Sequence, residues 1–409
     1  MIFSINIDYK TNKTELCEIG RKYDTDKSSQ RDNVTNSRHC HPYTLFYHSL
    51  FKNKKDDKLN IAELGVLEGS SLLMWREYFK NSTIYGFDNN IKFINNFKEK
   101  YDTSNIILNI LDVKNKNNIS NVFENINEQY DIIIEDTTHQ FNDQLNVIES
   151  VYKYLKPGGI LIIEDIFKSY NENDYINKLK QANILQNFQD TYFVSLDHKN
   201  RNSTGWNNDK LFILVKNGGK PIFSPLNKIT IITPSYRTNN LIKLKNSINF
   251  DYVNEWIIVY DGSKITTNPY LFKNDNNSEK IKELIHNGEG ISGNPQRNYA
   301  LDNIDIEDTF LYYLDDDNII HPHLYKLLNI IEKEKIYTFD QSNRLKGNNI
   351  NIRKIDTAMM LIDYRLCKNN RWIKDLYCAD GYYIKECYDN NIDKHIYVNN
   401  DLCYYNKIF

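Results

Sequence analysis

Short β-branched segments, each with a carboxylate at or near its carboxyl end and each followed by a helix-length stretch, most limit the folds open to this chain. In the first half these are LNIAELGV (Leu59 to Val66), STIYGFD (Ser82 to Asp88), NIILNILDV (Asn105 to Val113), YDIIIED (Tyr130 to Asp136) and GILIIED (Gly159 to Asp165). Strands alternating with helices predict a parallel, doubly wound α/β sheet. YFVSLD (Tyr192 to Asp197) and KLFILVK (Lys210 to Lys216) predict an antiparallel hairpin that closes this sheet, and KPGGI (Lys156 to Ile160) a helix-to-strand turn. KNGGKPIFSPLNK (Lys216 to Lys228) breaks all periodicity and reads as a linker. A second alternation follows, with KITIITP, EWIIVYDG, FLYYLDD and TAMMLIDY as strands and HPHLYKLLNIIEKEK (His321 to Lys335) as a helix. The boundary falls near residue 222, giving domains 1–221 and 222–409 without an internal repeat.

A chain of 409 residues has room for two or three cores, and its 40% hydrophobic and 13% aromatic content is that of a globular protein. Net charge is −3 with no basic block, so bulk electrostatics give no reason to expect nucleic acid. Asn, Lys, Ile and Tyr are over-used, which reads as AT-rich coding bias (a large DNA virus or an AT-rich microbe) rather than chemistry; runs such as KNKNN are then solvated loops. The cysteines Cys17, Cys40, Cys367, Cys378, Cys387 and Cys403 lack CxxC spacing, which fits reduced thiols better than disulfides or zinc. No signal-peptide stretch and no run of about 18 apolar residues is present, so a cytoplasmic protein without a membrane span is expected, in a host cytoplasm if the source is viral.

In IAELGVLEGSS a strand carries Glu63, then Gly65 and Gly69 let the backbone turn and approach a ligand before a helix starts at the serines. Asp88 ends the next strand about 20 residues later, where an acid bonds ribose hydroxyls, and Asp112 closes a third strand, where a carboxylate fits an adenine amine. The ELGxxxG spacing favours S-adenosylmethionine over a dinucleotide, though a structural glycine turn reads the same way. Asp136, Glu164 and Asp165 put three carboxylates at one sheet edge, where they would repel one another unless a hard cation such as Mg²⁺ sat between them. Such a metal could bind vicinal sugar hydroxyls, and His139 is placed to take the proton. The plainer alternative is that these aspartates cap helices.

The strings YDTDKSSQ, HPYTLFYHSLF (His41 to Phe51), ELGVLEGSSLLMWREYF and IIIEDTTH resemble the macrolide sugar O-methyltransferases of the macrocin and mycinose type, over residues 16 to 216. The resemblance implies a class I, S-adenosylmethionine-dependent, metal-dependent enzyme, with metal and base positions at Asp136, Glu164, Asp165 and His139. His41 and Tyr43 fall in that family's cofactor-lidding segment, whereas His39 and His48 read as surface or packing residues. The chain departs from the family at EDTTH, where DDGSH is usual, so the turn loses its glycine. Relatives of this type are often oligomeric, which leaves a homo-oligomer open.

In the second half Asp315, Asp316 and Asp317 end the FLYYL strand before a helix marked by Pro322, a usual place to hold Mn²⁺ or Mg²⁺ against a diphosphate; a solvated turn reads alike. Arg297, on an early helical turn of GNPQRNYAL, would reach that diphosphate. Together TPSYR, VYDGS, GNPQRNYAL and YLDDDNIIHP resemble the family-2-type GT-A glycosyltransferases, over residues 228 to 390. The resemblance implies a second Rossmann-like domain taking a nucleotide-sugar donor, UDP-linked. Thr233, Tyr236, Asp261 and Arg297 would contact the nucleotide, Asp316 ribose or metal, and Asp315 with Asp317 the metal. Asp380, at the start of a helical pattern, takes the place of the inverting base, although Ala379 replaces the first acid of the usual pair and an N-cap role competes. Trp372 and Tyr377 are candidates for an acceptor platform, or for packing.

These readings combine into a bifunctional enzyme that transfers a sugar and O-methylates a sugar hydroxyl of a glycan or glycoside. The alternative keeps the methyltransferase and makes the second domain a catalytically weak glycan-binding module; a third makes both domains a binding scaffold with vestigial sites.

Overall fold

The computed structural model describes residues 3–9, 13–29, 40–198, 207–223, 227–265 and 269–408. The chain divides into two compact units, Met1–Ser224 and Pro225–Phe409. His39 and three residues of the linker candidate, 224–226, lie outside the described residues.

The first unit runs β1 (Phe3–Tyr9), α1 (Glu15–Lys22), α2 (Tyr43–Phe51), β2 (Asn60–Leu64), α3 (Ser70–Tyr78), β3 (Thr83–Asp88), α4 (Ile91–Lys100), β4 (Ile106–Ile110), α5 (Lys116–Ile126), β5 (Tyr130–Glu135), α6 (Phe141–Val151), β6 (Leu155–Ile163), α7 (Glu172–Gln181), β7 (Phe188–His198) and β8 (Lys210–Lys216). Its strands lie in the order β4-β3-β2-β5-β6-β8-β7-β1. Neighbours from β4 to β6 are parallel, β8 is antiparallel to both β6 and β7, and β1 is parallel to β7. The five predicted strands and the closing hairpin are therefore present. KPGGI, expected as a turn, is instead the irregular first part of β6, where the pairing with β5 shifts register and Gly158 adopts φ 78°.

The asparagine-rich composition has a local use: the side chains of Asn90, Asn115 and Asn171 cap α4, α5 and α7 by accepting backbone N–H groups. The core is aromatic. Phe193 of β7 and Phe212 of β8 stack at 4.1 Å, and Phe87 of β3 stacks on Phe123 of α5 at 5.0 Å.

The second unit runs β9 (Ile229–Ser235), α8 (Leu241–Lys245), β10 (Val253–Asp261), β11 (Ile281–His286), α9 (Asn294–Leu301), β12 (Phe310–Tyr313), α10 (Pro322–Leu328), β13 (Ile336–Gln341), β14 (Met360–Asp363), α11 (Ala379–Asp389) and β15 (His395–Cys403). The order is β11-β10-β9-β12-β14-β13-β15, with β14 antiparallel to both its neighbours and the other pairs parallel. The helix expected over 321–335 stops at Leu328, because Glu332 N–H already donates to the Tyr337 hydroxyl as the chain turns into β13.

Each sheet has a place where successive strands depart in opposite directions, between β2 and β5 in the first unit and between β9 and β12 in the second. Loops leaving the carboxyl ends there diverge and open a crevice, the usual ligand position of open α/β sheets. Cys17, Cys367, Cys378, Cys387 and Cys403 are free thiols, and among the described residues no helix is long and apolar enough to cross a membrane.

Phe212 is fully buried in the β7–β8 stack. Phe212→Ala is expected to cost about 3–5 kcal/mol of stability, read from urea denaturation.

Candidate active site

A cavity of about 420 Å³ opens at the carboxyl ends of β2, β3 and β5. Gly65 to Ser71, Asp88, Asp136 to His139 and Asp165 line it, and residues 24–27, between α1 and α2, form another wall. Gly65 has φ 97°, and a Cβ there would lie 1.8 Å from the Asp136 carbonyl oxygen. Gly69, at φ 83°, caps α3, and a Cβ there would meet the Phe97 ring at 2.2 Å. Both glycines are thus required by conformation and by space. Asp88 organises the loop from below: Oδ2 accepts the N–H groups of Val66 and Leu67, both at 3.0 Å. Asp112 lies beyond the end of β4 with Oδ1 accepting Lys114 N–H, and the wall on that side is made by its neighbours Leu111 and Val113. Glu63 is fully buried beneath the loop; burial raises it to about 7 against the opposing charge of Lys27.

The acidic residues beyond β5 and β6 divide into two groups. Asp136 Oδ1 and Asp165 Oδ2 face His139 Nε2 at 3.1 and 3.2 Å, and these three residues are the one candidate metal-ligand group among the described residues. Glu164 does not join them. Its Oε2 accepts from the Lys27 ammonium and its Oε1 from the Tyr47 hydroxyl at 2.6 Å, so both oxygens are engaged in the core. Lys27 also contacts Asp136 Oδ2 and lies 3.4 Å from Glu63. Burial opposes its charge, but Asp136, Glu164 and Glu63 hold it protonated well above the ordinary range. Burial drives Glu164 upward, whereas Asp136 is kept far below the usual carboxylate range by Lys27 and His139 despite its burial. His139 is raised to about 9: burial works to lower it, and the Asp136 hydrogen bond with the Asp165 and Asp136 charges prevails.

His139 and Asp165 both have left-handed backbones, at φ 56° and 55°. Such conformations cost about 1–3 kcal/mol each and gather at functional sites. The glycine missing from EDTTH is not needed, because Thr137 bonds Glu135 Oε1 through its N–H and its hydroxyl and the left-handed position falls on His139. Sequence reasoning missed Lys27 and Tyr47, and placed Tyr43 only in a cofactor-lidding segment, without its contact to Asp165. Tyr43 donates to Asp165 Oδ1 at 2.6 Å and stacks on His41, whose Nδ1 lies 2.7 Å from Asp209.

In the second unit a smaller cleft of about 90 Å³ sits at the β9/β12 crevice. Tyr236, Asp261, Arg297, Asp315 and Asp316 all line it, joined by Arg237 and Lys264, which the sequence did not single out. Thr233 is elsewhere: it is fully buried and accepts the Trp256 indole N–H at 3.0 Å. Asp316 is also buried, with Oδ2 accepting from the Ser235 hydroxyl and the Tyr236 and Arg237 N–H groups, and Oδ1 from Arg237 Nε. Arg237 reaches on to Asp317, and Arg297 pairs with Asp315. The three aspartates are therefore divided between two arginines, and they form no metal-ligand group among the described residues. Asp380 lies in the first turn of α11; burial raises it to about 6, with Asp356 and Asp315 adding to this and Arg297 opposing it. Trp372 is buried between Tyr383, stacked at 4.5 Å, and the Arg297 guanidinium, 4.6 Å from its ring, so it is packing; Tyr377 is 85% exposed.

Residues 62–166 match the family model described as Methyltransferase domain, and the first unit is a class I methyltransferase-type Rossmann-like fold. The chain is 25% identical over 171 residues to mycinamicin VI 2''-O-methyltransferase of Micromonospora griseorubida, which covers 39% of this chain and 38% of that protein. It is 24% identical over 168 residues to demethylmacrocin O-methyltransferase of Streptomyces fradiae, covering 39% and 38%. The matched stretch thus spans about two fifths of these relatives' length. Among solved structures, the MycE methyltransferase of the mycinamycin pathway in complex with Mg and SAH aligns at 19% identity and TM-score 0.37, over 51% of this chain and 58% of that one.

Gly65→Ala sets a Cβ against the backbone of Asp136. The expected outcome is a loss of S-adenosylmethionine affinity of at least about tenfold in calorimetry, from about 1–3 kcal/mol of backbone strain plus the clash.

Proposed function

We propose that the first unit is an S-adenosylmethionine-dependent, metal-assisted O-methyltransferase acting on a sugar hydroxyl of a glycoside. One observation carries the reading: a single cavity joins the glycine loop and Asp88 to Asp136, His139 and Asp165. The relatives' names support it, since mycinamicin VI 2''-O-methyltransferase and L-olivosyl-oleandolide 3-O-methyltransferase are named for methylation at a numbered oxygen of a glycoside. Gly65 and Gly69 let the backbone approach the cofactor, with Asp88 at its ribose, Asp112 toward the adenine and Glu63 beneath the loop. The donor set fits a divalent cation, because Asp136 and Asp165 each turn one oxygen to the same side. Such an ion would supply Lewis acidity that lowers the pKa of a bound hydroxyl. The acceptor oxygen attacks the methyl carbon in line as the C–S bond breaks. Its proton would pass to His139, which Asp136 and Asp165 hold protonated when their oxygens face its Nε2 and which would be neutral, and so able to accept, when those oxygens are engaged by a cation. The products are the methyl ether and S-adenosylhomocysteine.

His139→Ala is expected to lower labelled-methyl transfer by about 10²–10⁴-fold while cofactor and Mn²⁺ binding persist. Loss of Mn²⁺ binding in that variant would make His139 a ligand instead, and transfer undiminished by chelation would overturn metal assistance.

For the second unit we propose a nucleotide-sugar site, which makes the chain bifunctional. The support is the cleft at the β9/β12 crevice that gathers Tyr236, Asp261, Arg297 and Asp315, with Asp380 near enough to feel Arg297 and Asp315. Asp380 takes the acceptor's proton as its oxygen displaces the nucleoside diphosphate from the anomeric carbon. A divalent cation does not fit the residues present, because Asp315, Asp316 and Asp317 are each committed to an arginine. The diphosphate charge would meet Arg297 and Lys264 instead. UDP binding in calorimetry is expected to survive EDTA and to weaken in Lys264→Ala. An absolute need for Mn²⁺ contradicts the arginine account, and no binding under either condition returns the unit to a glycan-binding module.

A further inference from the structure

Lys27 has no part in the chemistry above, yet the fold goes to some length to hold it. Its segment is pinned by Thr25 N–H to the Gly20 carbonyl, by the Ser28 hydroxyl to the Cys17 carbonyl, and by Thr44 N–H to the Lys27 carbonyl. Gly20 is needed there, since a Cβ would lie 2.8 Å from Ser28 Cβ. The side chain is 2% exposed, and its ammonium meets carboxylates from three strand ends: Glu63 of β2, Asp136 after β5 and Glu164 after β6.

The oxygens around it can be followed one by one. Both oxygens of Glu164 are engaged, by Lys27 and Tyr47. Asp136 gives Oδ2 to Lys27, and Asp165 gives Oδ1 to Tyr43. What remains is Asp136 Oδ1 and Asp165 Oδ2, which face the same side beside His139.

We propose that Lys27 is a positioning residue, a cation built into the fold that occupies the Glu63–Asp136–Glu164 side of the acidic cluster and so confines a divalent ion to the outer side made by Asp136 Oδ1 and Asp165 Oδ2. A like charge at the inner side repels a second cation and keeps the bound ion where the cavity, and an acceptor hydroxyl, reach it. The inference rests on the metal-assisted reading of the first unit. It departs from that reading's first form by removing Glu164 from the ligands and giving it to Lys27.

The test is Mn²⁺ binding by calorimetry to the full chain, comparing wild type with Asp165→Asn, Glu164→Gln and Lys27→Met, each checked for folding by circular dichroism. The site in question is the Mn²⁺ binding that Asp165→Asn removes. Glu164→Gln should leave that binding nearly unchanged. Lys27→Met should bind Mn²⁺ about tenfold more tightly or take up a further ion, because three carboxylates then lack their cation; a purely structural lysine would weaken the fold without raising affinity. Should Lys27→Met not fold, Lys27→Arg keeps the charge and should keep wild-type affinity, and the Glu164→Gln result still decides. Loss of binding in Glu164→Gln as complete as in Asp165→Asn overturns the proposal alone, as does a folded Lys27→Met with unaltered affinity and stoichiometry. A wild type with no Mn²⁺ binding sensitive to Asp165→Asn overturns the metal reading and the proposal with it.

Discussion

One ammonium group set among buried carboxylates is the interaction on which the first unit depends. Lys27 and Glu164 are both at most 2% exposed and Glu63 is fully buried, so the charges have little water to fall back on. Leaving one partner of such a cluster uncompensated costs about 3–5 kcal/mol, so Lys27 ties residues 13–29 to the ends of β2, β5 and β6. The same contact divides the acidic residues by task. Glu63 and Glu164 serve the fold, and Asp136 and Asp165 keep one oxygen each for the cavity.

Both units place their polar residues at the point where strand order reverses, but they neutralise acid differently. In the first, Lys27 contacts Asp136 Oδ2, His41 lies 3.6 Å from Asp165 Oδ1, and His139 faces the remaining oxygen of each aspartate, with left-handed backbone at Asp165. In the second, Arg237 and Arg297 already answer the three aspartates, and the loop after β9 is locked to Asp316 by two backbone N–H groups. That loop lies at the mouth of the cleft, and its exposed Tyr236 ring is 4.9 Å from the Arg237 guanidinium and 5.1 Å from the Lys264 ammonium.

Much of this was legible in the sequence because it rests on local pattern. The glycine loop, Asp88 and the alternation of β2 to β6 follow from conformational needs that particular residues meet, and His139 with Asp136 and Asp165 lies at strand ends where ligands bind. What escaped depends on long-range partners. Lys27 is 109 residues from Asp136, and nothing around it in YDTDKSSQ marks a buried lysine. Thr233, within β9, and Asp316, beyond β12, belong to motifs that a ligand should touch, but a side chain's direction decides whether it serves the ligand or the core, and here Trp256 and Arg237 claim them. The strands β11, β13 and β15 were missed because polar residues interrupt their apolar runs, so that pairing with a neighbour establishes them, whereas β1, with Phe3, Ile5 and Ile7 alternating with polar residues, was legible and overlooked.

The most direct test of the central claim is anomalous diffraction from crystals of the full chain grown with Mn²⁺ and S-adenosylhomocysteine. The account predicts a Mn²⁺ peak in the first unit within coordination distance of Asp136 Oδ1 and Asp165 Oδ2, with Lys27 still on Glu164. A peak bonded to Glu164 with the Lys27 ammonium displaced would contradict it.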